Sequence, residues 1–281
     1  MPLIHPVFLP KHSQASFDEL RNDPPNRICF ATVHVNALKE NTGQFSERAP
    51  YKFSVPFRQG VVQEFFLGTR VPLRESQYGY WAPLSSDQAQ EVRNWMESQG
   101  TRVYLKDLFD CSIALGERSV DNKETELGHL FTAAKYNGDE AAMLELARRV
   151  VESLSSMKSL SELACISCPP PRPDKDFDLP THIARIVAKK KGVPFVQLGQ
   201  WHGQKGQLKG VPAHQKWAEL ERVGFEVGLE VKKAKGLVLL LDDIYQSGTT
   251  LNYLRSRLTA QGVARVASIS MVKAARDTDN Q

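Results

Sequence analysis

The stretch VLLLDDIYQSGTT, residues 238–250, concentrates the chemistry of this chain. Asp242 and Asp243 stand side by side at the end of an apolar run, and Gln246, Ser247, Gly248, Thr249 and Thr250 follow them. A carboxylate is costly to bury unpaired, and once ionised it only accepts hydrogen bonds. Two kinds of partner suit such a pair. One is a diol, such as two ring hydroxyls of a sugar, one per acid. The other is a magnesium ion, which takes one or two carboxylates together with phosphate oxygens. Gly248 lets the backbone approach a ligand closely. The N–H groups opening the next helix, with the Ser and Thr hydroxyls, make a phosphate cradle. The segment reads as a site for a ribose held by its hydroxyls and anchored by a 5′-phosphate. The bland alternative is a capped turn with two solvated acids, against which the apolar run before it and the helical pattern after it both speak. The loop is neither GxxxxGK[ST] nor GxGxxG, so it is neither a P-loop nor a dinucleotide fingerprint.

The elements around it must hold this loop in place. Leu237 to Leu241 is apolar at every position, as in a strand buried on both faces. Leu251, Leu254 and Leu258 recur at helical spacing up to Gly262, and Val266 to Val272 is a final strand. Upstream, Leu127, Leu130, Phe131 and Ala134 mark one helix, and Met143, Leu146, Ala147, Val150 and Leu154 the next. Leu163 to Ser167 and Phe195 to Leu198 read as short strands, with a helix over Thr181 to Lys191 between them. Phe225, Val227, Leu229 and Val231 alternate like a half-exposed strand. Strands alternating with helices predict an α/β fold with a mainly parallel, Rossmann-like sheet. Ligands of such sheets bind beyond the carboxyl ends of the strands, which is where Asp242 and Asp243 fall.

Residues 1–120 carry weaker signals and read as a separate α/β domain of unknown role, with 121–281 as the ligand-binding domain. Ile28 to Val35 and Val103 to Leu108 suggest strands, and Val55 to Val71 reads as extended. Ser85 with Gln88 predicts a capping box for a helix carrying Ala89, Val92, Trp95 and Met96 and closed by Gly100. His5, His12 and His34 lack metal-ligand spacing. Tyr78, Tyr80 and Trp81 could stack on a base, though a packed turn is the simpler reading. Cys165 and Cys168 form a CxxC that could be redox-active or half a zinc site; its place in a core strand favours packing. The Trp201–Gln207 stretch is polar enough to serve as a lid or a plain exposed loop. The runs Lys189–Lys191 and Lys232, Lys233, Lys235 read as solvated faces, with nucleic-acid contact as the lesser alternative.

With 41% apolar and 24% charged residues, the chain is a folded protein rather than a disordered one. A net charge of +4 suits an anionic ligand or weak nucleic-acid contact without choosing between them. MPLIHPVFLP lacks the pattern of a signal peptide, and no stretch approaches the ~18 apolar residues of a membrane span. Four cysteines in 281 residues make no disulfide framework. A reducing cytoplasm is the expected compartment.

VLLLDDIYQSGTT closely resembles the phosphoribosyl-pyrophosphate (PRPP) loop of type I phosphoribosyltransferases, and residues 125–275 resemble their ComF-like members. AAKYNGD (133–139) is similar to that family's lysine-tyrosine-glycine stretch. CPPPRPDKDFDLPTHIA (168–184) is in register with its proline–arginine loop and its arginine-glycine-phenylalanine-asparagine-glutamine segment, of which Lys175, Asp176, Phe177, Asp178 and Leu179 keep only the Phe. Lys216 in VPAHQKWAEL stands where the family has arginine. The cysteine zinc module usual at the family's N-terminus is missing, Cys29 and Cys111 being isolated. The resemblance implies that Asp242 and Asp243 hold the ribose hydroxyls, that Ser247, Gly248, Thr249 and Thr250 (with Gln246 beside them) hold the 5′-phosphate, and that Pro169–Arg172, including Pro170 and Arg172, faces pyrophosphate with Lys135 near it. It implies Mg2+ as cofactor, PRPP or a nucleotide as ligand, and a phosphoribosyltransferase or nucleotide glycosidase acting on a nucleobase-like acceptor. The alternative it carries is a PRPP-fold sensor or effector working with a nucleic-acid or protein partner, as in DNA uptake or retron-type antiviral defence. A homo-oligomer is compatible with either.

Overall fold

A computed structural model describes residues 12–22, 28–32, 36–42, 47–56, 59–171, 177–203, 208 and 211–274. Helix α1 (Gln14–Asn22) precedes strand β1 (Ile28–Ala31). Next come β2 (Leu38–Glu40), β3 (Tyr51–Val55), α2 (Gln59–Thr69), β4 (Arg74–Ser76), β5 (Gly79–Leu84) and α3 (Ser86–Ser98). β6 (Val103–Leu105), β7 (Cys111–Ala114) and the small hairpin β8 (Ser119–Val120) and β9 (Lys123–Glu124) lead to α4 (Glu126–Tyr136) and α5 (Glu140–Ser156). The remainder is β10 (Leu163–Ser167), α6 (Leu179–Lys191), β11 (Gly199–Trp201), α7 (Ala213–Val223), β12 (Phe225–Val227), α8 (Leu229–Lys232), β13 (Leu237–Tyr245), α9 (Thr249–Ala260) and β14 (Arg265–Lys273).

The main sheet has six strands in the order β1-β6-β7-β14-β13-β10. β7, β14, β13 and β10 are parallel, and β6 and β1 extend the edge antiparallel. The fold is α/β with a mixed, mostly parallel sheet, compatible with a Rossmann-like arrangement. β13 is paired along both edges, to β14 and β10, and helices cover both of its faces, so every residue of Leu237–Leu241 is buried. Its side chains alternate between two cores. Leu237, Leu239 and Leu241 pack with Phe131, Leu146 and Ile183 of α4, α5 and α6. Val238 and Leu240 pack with Leu220 and Leu254 of α7 and α9. This alternation decides where the two aspartates that follow must point.

The sheet runs across the 120/121 boundary: β1, β6 and β7 come from before it, and β10, β13 and β14 from after it. A second, antiparallel sheet, β2-β3-β5-β4, carries α2 and α3 on one face. Phe53 of β3 stacks on Phe65 of α2 at 4.9 Å, and Phe65 meets Trp95 of α3 edge-on. These residues belong to the same apolar cluster as Leu239 and Ile113, so the smaller sheet and the main sheet share one core.

Several sequence expectations are met. The Ser85–Gln88 capping box opens α3, whose Ala89, Val92 and Trp95 are buried. Three require correction. Residues 59–69 form a helix, not an extended segment. Its β-prone composition yields to tertiary packing, because Val61 and Phe65 lie one turn apart and both are buried. The buried Glu64 of this helix accepts hydrogen bonds from the backbone N–H groups of Lys158 (3.3 Å) and Ser159 (2.7 Å). The 225–231 strand stops at Val227, and Leu229–Lys232 is helical after Gly228, leaving Leu229 exposed. Phe195–Leu198 makes a single bridge, Phe195 to Ile166, and the strand begins only at Gly199. Among the described residues no helix is long and apolar enough to cross a membrane.

Candidate functional site

The carboxyl end of β13 and the first turn of α9 enclose a cavity of about 210 Å3. Its wall contains Asp242, Gln246, Ser247, Gly248, Thr249 and Thr250, joined by Lys216 of α7 and by Leu208. The loop owes its shape to Gly248, which has φ 73° and ψ 0°, the left-handed conformation that favours glycine. A Cβ there would stand 2.3 Å from Tyr245 Oη and 2.5 Å from its Cζ, so the ring and the glycine backbone fit only without a side chain. Gly248 is the N-cap of α9 and has no side chain to cap it, the Ser247 hydroxyl accepting from Thr249 N only at 3.5 Å. The first turn of α9 holds no acidic residue. Its N-terminal N–H groups and the positive end of its dipole meet the cavity beside the Ser247 and Thr249 hydroxyls, which lie 3.0 Å apart.

Asn252, one turn further along, fixes the loop from behind. Its Nδ2 donates to the Gly248 carbonyl at 2.9 Å, and its Oδ1 accepts the backbone N–H of Leu108 at 2.7 Å. Asn252 is fully buried. Sequence reasoning missed it; the available signal was a polar residue directly beside Leu251 on the inward face of α9.

The paired acids diverge, as the alternation of β13 requires. Asp242 falls on the α7–α9 side and lines the cavity. Asp243 falls on the α4 side, where its Oδ2 lies 2.6 Å from Nζ of Lys135. Asp242 Oδ1 also accepts the backbone N–H of Asp243 at 2.9 Å. Both members of the Lys135–Asp243 pair are less than a quarter exposed. The Lys135 ammonium also rests over the rings of Phe131 (5.2 Å) and Tyr136 (5.7 Å), which hold it in one place. Lys216, singled out in the sequence only as a departure from arginine, is buried in the cavity wall.

The proline loop begins at Cys168, where β10 ends. Pro170 is half-buried there and is not part of the cavity wall. Arg172, Lys175 and Asp176 lie outside the described residues, as do 204–207 of the Trp201–Gln207 stretch. Asp178 has its carboxylate engaged at a helix start. It is the N-cap of α6, accepting from Thr181 N at 3.0 Å and Thr181 Oγ1 at 2.6 Å. Trp201 packs on Phe225 and stacks on Tyr253.

Cys165 and Cys168 are both buried free thiols. Burial pushes the Cys165 thiol up to about 11. Burial, with lesser contributions from the Asp178 and Asp242 carboxylates, pushes Cys168 up to about 12. Thiols held so firmly in the neutral form are poor nucleophiles and poor metal ligands. Among the described residues no group of three or more His, Cys, Asp or Glu is arranged to hold a metal ion. Of the two acids only Asp242 faces the cavity, so a magnesium ion there would have one protein carboxylate and would take most of its oxygens from phosphate and water.

Comparison with protein-family models, curated proteins and solved structures finds no match to this chain.

Proposed function

We propose that the protein binds PRPP, or the 5′-phosphoribosyl group of a nucleotide, through a type I phosphoribosyltransferase-like fold extended by an N-terminal α/β portion. The observation that carries this reading is a single cavity uniting Asp242, the 246–250 loop, the uncapped start of α9 and a buried lysine. Its volume is below the roughly 300–1,000 Å3 that encloses a whole drug-sized ligand, and suits the phosphate-and-sugar end of one. In this reading the loop N–H groups and the Ser247, Thr249 and Thr250 hydroxyls hold the 5′-phosphate, and Asp242 accepts from a ribose hydroxyl. Asp243 points to the other side of β13, where Lys135 balances its charge, and would meet the sugar only by leaving that pair.

The chemistry is transfer at C1 of the ribose. The C1–O bond to pyrophosphate breaks and the leaving group keeps the electron pair. A base nitrogen then forms the new C1–N bond. The Asp242 carboxylate favours the oxocarbenium-like centre between these events, and the Lys216 ammonium favours the departing anion. Bound magnesium would neutralise pyrophosphate charge, with Asp242 the nearest protein donor in the cavity.

Calorimetric titration with PRPP and Mg2+ tests the reading. Magnesium-dependent binding to the wild type and its loss in the Asp242→Asn, Asp243→Asn double variant are expected; equal binding by both proteins overturns it. The Lys135–Asp243 pair favours a second reading, a site that senses the ligand without turning it over, because Asp243 is held by Lys135 outside the cavity wall. PRPP bound but not consumed across a panel of bases would select that reading.

A further inference from the structure

We propose that the outward face of the antiparallel sheet β2-β3-β5-β4 is a platform for single-stranded nucleic acid. Phe53, Val55, Ala82 and Leu84 are buried beneath α2 and α3, so the alternate residues Lys52, Ser54, Trp81 and Pro83 face outward. Cross-strand partners share a face. Lys39 pairs with Lys52, Arg74 with Trp81, and Ser76 with Gly79, which places Lys39, Arg74 and Ser76 on the same outward surface. The neighbouring acids Glu40 and Glu75 alternate to the other side, pairing with Tyr51 and Tyr80. The outward strand residues therefore include three cations and no carboxylate.

Two features of this face point to an anionic, ring-bearing ligand. Lys39 and Lys52 are directly opposite one another on adjacent strands, and both are exposed. Like charges in that register oppose folding unless an anion lies across them. Trp81 sits between β3 and β4 with the Lys52 ammonium 5.3 Å and the Arg74 guanidinium 5.4 Å from its ring centre. Tyr78, in the turn joining β4 to β5, is 84% exposed. Cations spread over three strand spacings, about 14 Å, with a tryptophan among them and a tyrosine at the margin, match a phosphate backbone whose bases are free to stack. A duplex hides its base faces and offers this surface only its phosphates. The sequence stretch Tyr78–Trp81 thus divides: Tyr80 turns inward to pack against the core, Tyr78 is exposed, and Trp81 is half-exposed, its ring shared with the Lys52 and Arg74 cations that a base would have to displace.

The test is fluorescence anisotropy of labelled oligo(dT) and oligo(U) titrated with the full chain over a range of salt. Binding is expected for single strands and to be weaker for a duplex. Trp81→Ala and Tyr78→Ala should each weaken it roughly fivefold or more. Lys39→Gln, Lys52→Gln, Arg74→Gln together should flatten the log K against log salt slope by about 2. Asp242→Asn should bind the oligonucleotide as the wild type does, which separates this face from the cavity at β13. Should the triple variant lose its native circular dichroism, Tyr78→Ala at its exposed turn and photocrosslinking of the wild type replace it, the adduct being expected on the peptide containing Tyr78 and Trp81. No binding at low salt, equal affinity for duplex, variants indistinguishable from wild type, crosslinks confined to other segments, or displacement from the oligonucleotide onto phosphatidylserine vesicles would each overturn the proposal.

Discussion

Replacing Gly248 by alanine should damage both the fold and the candidate site, and the size of the damage can be worked out against a control. Gly248 and Gly192 share the left-handed conformation, with φ 73° and 66°. Around Gly192 an added Cβ meets nothing within 4 Å, whereas at Gly248 it meets Tyr245 Oη at 2.3 Å and Cζ at 2.5 Å. Gly192→Ala therefore carries only the backbone cost of a left-handed alanine, about 1–2 kcal/mol. Gly248→Ala adds the displacement of a buried ring, which is an overpacking cost of about 1–3 kcal/mol. The expected losses are roughly 1–2 and 2–5 kcal/mol respectively, read from urea unfolding curves. Because the Tyr245 ring and the cavity share a wall, PRPP affinity should fall more than about tenfold in Gly248→Ala, a change of about 1.4 kcal/mol, and hold steady in Gly192→Ala. If the two variants lose equal stability, or if Gly248→Ala binds PRPP unchanged, the argument that Tyr245 and Gly248 together shape the loop is refuted.

A double-mutant cycle on Lys135→Met and Asp243→Asn should show a coupling of roughly 1–2 kcal/mol without ligand; the absence of coupling would deny the pair any energetic role. Burial, helped by the Arg255 charge and opposed by Asp110, lowers His12 from 6.5 to about 4. The neutral ring therefore favours the fold above pH 6.5, and that contribution is lost as pH falls towards 4, by roughly 1–2 kcal/mol once its partial exposure is allowed for. His12→Gln should flatten the stability profile across that window and leave it unchanged above pH 7. Cys165 and Cys168 should resist iodoacetamide at pH 8 in the native protein and react at once in denaturant. Since their folded values lie above the ordinary 9, stability should decline as pH rises from 9 towards 12. Rapid native alkylation of either thiol would reopen a redox or metal role for the CxxC.

The elements whose residues answer to one dominant force were legible. Leu237–Leu241 could only be a strand covered on both faces, and the Ser85–Gln88 box fixes the start of α3 by local hydrogen bonds. Residues 59–69 were misread because GVVQEFFLGT is locally strand-like, and only the partners Phe53, Trp95 and the 158–159 backbone make it a helix. Val227 and Leu229 appeared to continue one alternation that Gly228 interrupts. In the candidate site, the turn from Gln246 to Thr250 into a helix was readable as spacing, whereas the pairing of Lys135 with Asp243 was not, the resemblance having set Lys135 beside pyrophosphate. The splitting of Asp242 from Asp243 followed from strand alternation that the idea of one acid per hydroxyl passed over. Lys216 could be assigned only once α7 was placed, since nothing local links it to residues 242–250, whereas Asn252, one turn after Gly248 and beside Leu251, carried a local signal that was passed over.

The position of β14 has a consequence for biosynthesis. It is hydrogen-bonded along both edges, to β7 and to β13, and its Ser268 meets Ser112 of β7 across 156 positions. A ribosome adding roughly 5–20 residues per second leaves β7 waiting about 8–30 s for that partner. Throughout the wait β7 keeps one edge unpaired, and once β13 (Leu237–Tyr245) is made the sheet exists as two separate pieces, each with an open hydrogen-bonding edge where β14 belongs. Such edges pair readily with other chains. A nascent chain stalled before Arg265 would accordingly present two sticky edges rather than a smaller folded protein, and would depend on chaperone cover until its central strand arrives.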